Sequence, residues 1–246
     1  MRDKDKQLIN DILLNYPDLR VFIRKGDWST FWEEVGKISF GANSKNKYHD
    51  AYAIFFLIFG ELNIGKVPME FPIWSFYKKK DLGDLVIPSG VRILGKNCFQ
   101  EATFNSIKLP DTLERIDGFA FKSSNLSKIS LPDSLEHIEV GAFRECKLSE
   151  IKLPSRLTGI GSNCFCKNNI SEITIPESVE WLGPWSLFDI NSGKNYVINI
   201  PRKWGKKHAE LKESIGYNAR SKPQKSKNKW VFEGIGLGYS VTVNFY

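Results

Sequence analysis

Six prolines set the register of this chain. Pro88, Pro110, Pro132, Pro154 and Pro176 lie 22 residues apart, and Pro201 follows after 25. The residues around them keep the same step. One position before the prolines stand Ile87, Leu109, Leu131, Leu153, Ile175 and Ile200, and three before stand Leu85, Ile107, Ile129, Ile151, Ile173 and Ile198. Three after come Val91, Leu113, Leu135, Leu157 and Val179, and six after come Leu94, Ile116, Ile138, Ile160 and Leu182. Eleven after come Phe99, Phe121, Phe143, Phe165 and Leu187, and sixteen after come Phe104, Leu126, Leu148 and Ile170.

Columns held in phase over five units leave few possible folds. The apolar residues before each proline alternate with outward ones, the period of a short strand with one buried face. Proline cannot donate to a ladder and ends that strand. No 22-residue unit can bury its own apolar columns, but stacked units bury them against each other as a solenoid with a continuous core. At the spacing of paired strands, five to six rungs make a block about 25–30 Å long.

The copy "LSKISLPDSLEHIEVGAFRECKL", residues 126–148, carries every apolar column together with Ala142, Phe143 and Cys146. This pattern resembles the BspA-like, or Treponema-type, leucine-rich repeat, and the resemblance covers about residues 84–201. It implies the solenoid and a binding habit, and a last rung that leads through a short helix into a closing segment with Trp and Phe. Here "IPRKWGKKHAELKESIGY" is followed by "KWVFEGI", with a basic insertion at residues 218–229 between them.

Residues 1–80 show no repeat. "DKDKQLINDILLNY" predicts a helix with Leu8, Ile12 and Tyr16 on one face. "GDWSTFWEEVGKI" offers Asp27 as an N-cap and Trp28, Phe31, Trp32 and Val35 as an apolar stripe. "YHDAYAIFFLIFGEL" predicts a third, buried helix, too short in its apolar run to cross a bilayer. The segment from Asn63 to Gly83, with Pro68 and Pro72, reads as irregular. The expected fold is therefore α+β: a helical N-terminal domain or cap (1–80), a leucine-rich-repeat solenoid (81–201) and a basic C-terminal helix and strand cap (202–246).

Catalytic chemistry finds no foothold. His49, His137 and His208 are scattered, and the register turns His137 outward. Cys98 and Cys164 occupy the column that holds Ala120 and Ala142 elsewhere, three rungs apart and out of reach of a disulfide. Cys166 lacks the second ligand pair that zinc needs. "GIGLGYS" does not keep phosphate-loop spacing. No enzyme activity, metal or cofactor is expected, and the four thiols are expected to stay reduced.

Binding surfaces are easier to find. The outward strand positions give a polar, mixed-charge face with Lys108, Lys128, Ser130, Glu150, Lys152, Glu172 and Thr174. Trp181 and Trp185 add aromatic candidates. Residues 1–201 hold 25 Lys/Arg against 25 Asp/Glu, whereas residues 202–246 hold 10 against 3, so the whole +7 excess lies at one end. Arg202, Lys203, Lys206, Lys207, Arg220, Lys222, Lys225, Lys227 and Lys229 would attract phosphate or an acidic protein face.

The residues favour a non-enzymatic protein-binding module that recognises another protein, with inhibition of that partner as one form this could take. The alternative is a nucleic-acid or nucleoprotein binder using the basic end. With a charged N-terminus and no apolar leader, a cytoplasmic location without membrane association is expected. Its Lys-, Asn- and Ile-rich composition is consistent with a bacterial or phage source.

Overall fold

The computed structural model describes residues 3–40, 70–71, 73–188, 195–215, 223–233 and 240–246. Its body is a stack of rungs, each carrying a two-residue strand. These strands are β1 (Glu70–Phe71), β3 (Ile93–Leu94), β5 (Arg115–Ile116), β6 (His137–Ile138), β7 (Gly159–Ile160) and β9 (Trp181–Leu182), paired in parallel in that order. Their register keeps one column inside, Phe71, Leu94, Ile116, Ile138, Ile160 and Leu182 in sequence. The solenoid thus starts earlier than the proline register suggests. Phe71 pairs where Leu94 does one rung later, and Phe76 fills the position of Phe99.

A tight turn follows each of these strands, and its backbone is tied rung to rung. Phe99 N–H donates to Ala120 C=O at 2.8 Å, Phe121 to Ala142 at 2.8 Å, and Phe143 to Cys164 at 3.1 Å. The turns require two left-handed residues each. One column reads Trp74, Asn97, Phe119, Gly141, Asn163 and Trp185, and the other Lys78, Glu101, Ser123, Glu145 and Lys167, all with φ between 55° and 60°. For residues other than glycine this conformation costs roughly 1–2 kcal/mol. N–H groups donated from these left-handed residues to the next rung offset it, as in Asn97 to Gly118 C=O at 3.1 Å and Glu101 to Lys122 C=O at 2.8 Å.

Aromatic rings run through the core along the turn column. Phe76, Phe99, Phe121, Phe143 and Phe165 stack with centroids 5.3–5.7 Å apart. Half-buried amides close further backbone groups. The Asn125 amide bonds both the N–H and the C=O of Phe104, and the Asn168 amide donates to Phe143 C=O while accepting from Leu148 N–H.

Glu145 ties three rungs at the surface, accepting from Ser123 Oγ at 2.9 Å and Lys167 Nζ at 3.0 Å. The Lys167 bond holds its carboxyl down at about 2, from an ordinary 4.5. A depressed carboxylate stabilises the fold above its unfolded value and loses that contribution as pH falls through the folded one. Glu145→Gln is therefore expected to lower stability by about 1 kcal/mol near neutral pH, after solvent screening. The difference from the parent should shrink between about pH 4.5 and pH 2. Urea denaturation at both ends of that window measures it.

The strand column before the prolines behaves differently. β2 (Asp84–Val86) and β4 (Ser106–Lys108) pair with each other. β8 (Glu172–Thr174) pairs with β10 (Tyr196–Ile200). The equivalent residues 128–130 and 150–152 form no strand.

Both ends of the stack carry added elements. α1 (Asp3–Asn15), α2 (Asp18–Lys25) and α3 (Trp28–Phe40) form the N-terminal region. Ile12, Leu19, Phe31, Val35 and Ile38 make a small core of their own, and Leu8 and Ile9 also pack against the solenoid core. Asp27 caps α3 through Thr30 N–H at 3.2 Å. Tyr16 lies beyond the end of α1, before Pro17, and is exposed rather than part of the buried face. The third helix expected around residues 48–62 lies outside the described residues.

At the other end Arg202–Lys206 forms a 3-10 turn, followed by α4 (His208–Ser214). Then β11 (Gln224–Lys225) and β12 (Lys229–Glu233) form a hairpin, and β13 (Ser240–Phe245) runs between β12 and β10. β13 lies parallel to β10 over five residue pairs, so it extends the strand column by one more rung.

Candidate protein-binding face

Lys108, Lys128, Ser130, Glu150, Lys152, Glu172 and Thr174 are all exposed, side by side on the strand column. The parallel stacking of one residue type position above the next places them there. Toward the C-terminal end this face is ordered by side chains: the Asn199 amide donates to Glu172 at 2.8 Å and to Thr174 Oγ1 at 3.3 Å, and Asn244 donates to Asn199 Oδ1 at 2.9 Å. Lys128 and Glu150 form a loose pair at 3.9 Å.

In the middle the face is open. A groove of about 680 Å³ runs over Ser106, Ile107, Lys128, Ile129, Glu150 and Ile151. A second hollow of about 430 Å³ adjoins it on the proline side, between Ser130 and Lys152. Ile107, Ile129, Leu131 and Ile151 are only partly buried, although the apolar alternation places them inside. Their counterparts Leu85, Ile173 and Ile198 are 7%, 1% and 0% exposed. Ladder pairing alone does not set the difference, since Ile107 lies in the paired strand β4 and Leu153, in a rung without a strand, is 7% exposed.

The two tryptophans part company. Trp181 is 51% exposed, on the outer face of the short-strand ladder. Its indole lies over Gly159, where a Cβ would stand 3.5 Å from the ring, with the His137 ring on the other side of that glycine. His137 faces outward as the register requires, and its Nδ1 lies 3.3 Å from Thr158 Oγ1. Trp185 is half-buried and left-handed. Its N–H donates to Glu213 C=O in α4 at 2.9 Å and its C=O accepts from the Cys166 thiol at 2.8 Å, so it serves the joint between solenoid and C-terminal helix.

The basic end divides in the same way. Lys203 Nζ donates to Glu177 C=O, and Lys207 Nζ to Glu180 C=O at 3.1 Å, closing carbonyls of the last full rung. Lys207 also sits 4.8 Å above the buried Trp204 ring and pairs with Glu210 at 3.3 Å. Lys225 lies 4.2 Å over Trp230. Arg202, Lys206, Lys227 and Lys229 are exposed, whereas Arg220 and Lys222 lie outside the described residues. Several of the cations that the charge count offers to phosphate thus hold the end of the stack together.

All four cysteines are buried thiols outside any disulfide. Cys146 donates to Phe121 C=O at 3.0 Å, and burial pushes its thiol up to about 11. Burial also raises Cys98 and Cys164 well above the ordinary thiol range. Thiolates are the reactive form. An aromatic disulfide reagent is expected to label none of the four in the native chain within minutes and all four in denaturant, read by absorbance. Among the described residues no three His, Cys, Asp or Glu side chains gather as metal ligands, and no helix is long and apolar enough to cross a membrane.

Stacked rungs, a phenylalanine spine and an exposed strand column define a leucine-rich-repeat solenoid. The BspA type leucine rich repeat region matches in six copies over residues 70–200, and the chain belongs to that family. Among solved structures it is similar to a leucine-rich repeat protein from Bacteroides ovatus ATCC 8483, at 18% identity and a TM-score of 0.23, covering 55% of this chain and 54% of that one. The match thus spans about half the length of that relative. No curated protein matches the chain.

Proposed function

We propose that the chain is a non-enzymatic protein-binding module that recognises its partner through the solenoid's strand face and the flank marked by Trp181. One observation carries this reading: seven polar residues stand exposed side by side over four rungs on a backbone that the opposite ladder holds in register. Such a surface offers many spaced contacts to a partner. Trp181 supplies an exposed aromatic of the kind that dominates interface energetics. The helices within residues 3–40 act in this reading as a cover for the first rungs, supported by the packing of Leu8 and Ile9 on the solenoid core. Residues 202–246 close the other end. The four buried cysteines, none of them in a disulfide, support a reducing, intracellular setting.

The test is affinity capture from a nuclease-treated lysate, followed by titration of the purified captured protein. Intact chain is compared with Lys108→Glu/Lys152→Glu, Trp181→Ala and a form lacking residues 218–229. Affinity should survive nuclease and the deletion and fall about tenfold in the strand-face variant, the size of one lost hot spot. Capture lost with nuclease or with residues 218–229, and indifferent to the strand face, would overturn the reading in favour of nucleic-acid binding at the basic end.

A further inference from the structure

The repeat register sorts the charges of the stack by flank. The strand column, residues 83–87, 105–109, 127–131, 149–153 and 171–175, carries three Lys against three Asp/Glu. The ladder flank, residues 70–71, 89–95, 111–117, 133–139, 155–161 and 177–183, carries nine Asp/Glu against three Arg. The turn flank, residues 73–82, 96–104, 118–126, 140–148 and 162–170, carries eight Lys/Arg against three Asp/Glu. None of these charged residues is buried. The stack is close to neutral as a whole, yet negative on one flank and positive on another.

Ion pairs do not cancel the difference. Arg92–Glu114, Arg115–Asp117 and Arg156–Glu136 join groups of the ladder flank at 2.5–2.7 Å. Lys78–Glu101, Arg144–Glu145 and Lys167–Glu145 join groups of the turn flank at 3.0–3.8 Å. Each pair takes one charge of either sign from its own flank, so both excesses remain. Lys203 and Lys207 reach the last rung of the ladder flank and Glu210 pairs with Lys207, which leaves five of that flank's six surplus negative charges.

The ladder flank calls for a positive surface and the turn flank for a negative one. A second copy of this chain supplies both. Its rungs also repeat at the same step of roughly 5 Å, so rows of opposite charge keep register from one rung to the next.

We propose that copies of this chain associate side by side, the ladder flank of one on the turn flank of the next. The contact lies over the central rungs, with Asp111, Asp133 and Glu139 on one side and Lys96, Lys122 and Lys147 on the other. The two surfaces differ, so every copy added leaves one flank of each kind uncovered and growth continues beyond a dimer. The strand face stays open, and Trp181, on the last rung, lies outside the central contact. The proposal therefore goes beyond the protein-binding reading and does not depend on it.

Sedimentation equilibrium of the intact chain tests it. In about 0.1 M salt, with a screening length of about 10 Å, the average mass should rise with concentration past that of a dimer. In about 1 M salt, with a screening length of about 3 Å, the chain should be a monomer. Asp111→Lys/Asp133→Lys/Glu139→Lys and Lys96→Glu/Lys122→Glu/Lys147→Glu should each weaken association about tenfold or more, and an equimolar mixture of the two variants should restore it. Lys108→Glu/Lys128→Glu/Lys152→Glu makes the same change of charge on the strand face and should leave association within about twofold of the parent. All these positions are exposed or half-buried, and if one flank variant fails to fold, the salt series and the other variant still decide.

A monomer at low salt, at the highest concentration reached, would overturn the proposal. Association that ignores salt, stops at a dimer or falls as far with the strand-face variant would overturn it too, as would a mixture of the two flank variants that stays monomeric. Each of these results leaves the protein-binding reading standing, because capture of another protein tests that reading separately.

Discussion

Phe121→Ala is expected to cost about 3–5 kcal/mol, the range for removing a fully buried aromatic. Phe121 is 0% exposed and sits in the middle of the spine, 5.4 Å from Phe99 and 5.3 Å from Phe143. Its loss leaves a cavity that cannot collapse, because the turns on both sides are pinned by Phe99, Phe121 and Phe143 N–H bonds to the next rung. Phe165 provides the comparison. It stacks on Phe143 at 5.7 Å, but the next position in its column is Leu187. Phe165→Ala should therefore cost less, by about 1 kcal/mol for the missing ring contact. In a solenoid each rung touches only its neighbours, so a central break should also divide the cooperative unit. Urea unfolding of Phe121→Ala should show an earlier midpoint and a shallower slope. A loss below about 1 kcal/mol would mean that the stack can close over the gap.

The inside of this solenoid was legible because its columns repeat. Val91, Leu113, Leu135, Ile116 and Phe143 occupy the positions that the proline register assigns, and each is 0% exposed. The ladder of two-residue strands was not legible. Its outward column reads Ile93, Arg115, His137, Gly159 and Trp181, which have no common chemistry to mark an alternation. The left-handed column hides for a similar reason: Phe119, Trp74 and Trp185 stand where glycine or asparagine would announce the turn. Glu70 and Phe71 escape because no proline stands 22 residues before Pro88, where the chain has Lys66.

The candidate site shows the same division. That Lys108, Lys128 and Lys152 face solvent follows from alternation, and the structure agrees. That the rungs beneath them stand open does not follow, because "KISLP" and "EIKLP" carry the same pattern as the paired "SIKLP" and "EITIP". Whether adjacent rungs pair depends on how all the turns stack. Lys203 and Lys207 illustrate the limit of counting charge. Their role is set by carbonyls at Glu177 and Glu180, and the Glu180 carbonyl stands where Glu114, Glu136 and Thr158 each accept from the next rung.

The second large effect separates two glycines of one rung. At Gly161 an added Cβ would stand 2.4 Å from the Glu139 carbonyl carbon and 2.4 Å from Val140 N, both backbone atoms of the preceding rung. At Gly159 the nearest atom is the Trp181 ring at 3.5 Å, an ordinary contact. Neither glycine needs a left-handed backbone, so the comparison isolates space from conformation. Gly161→Ala has to push two rungs apart against Gly161 N–H to Ile138 C=O at 2.7 Å and the paired strands beside it. Overpacking of this kind costs about 1–3 kcal/mol where side chains can yield, and a pinned backbone places the expected loss at or above the top of that range. Gly159→Ala should fall within about 0.5 kcal/mol of the parent, with the gain from restricting the unfolded chain offsetting any crowding of the indole. Thermal and urea unfolding of the two variants decide it. Equal losses would mean that the close approach of rungs 139–140 and 161 is not what holds their spacing, and a drop confined to Gly161→Ala would make that backbone contact the feature that sets the pitch of the stack.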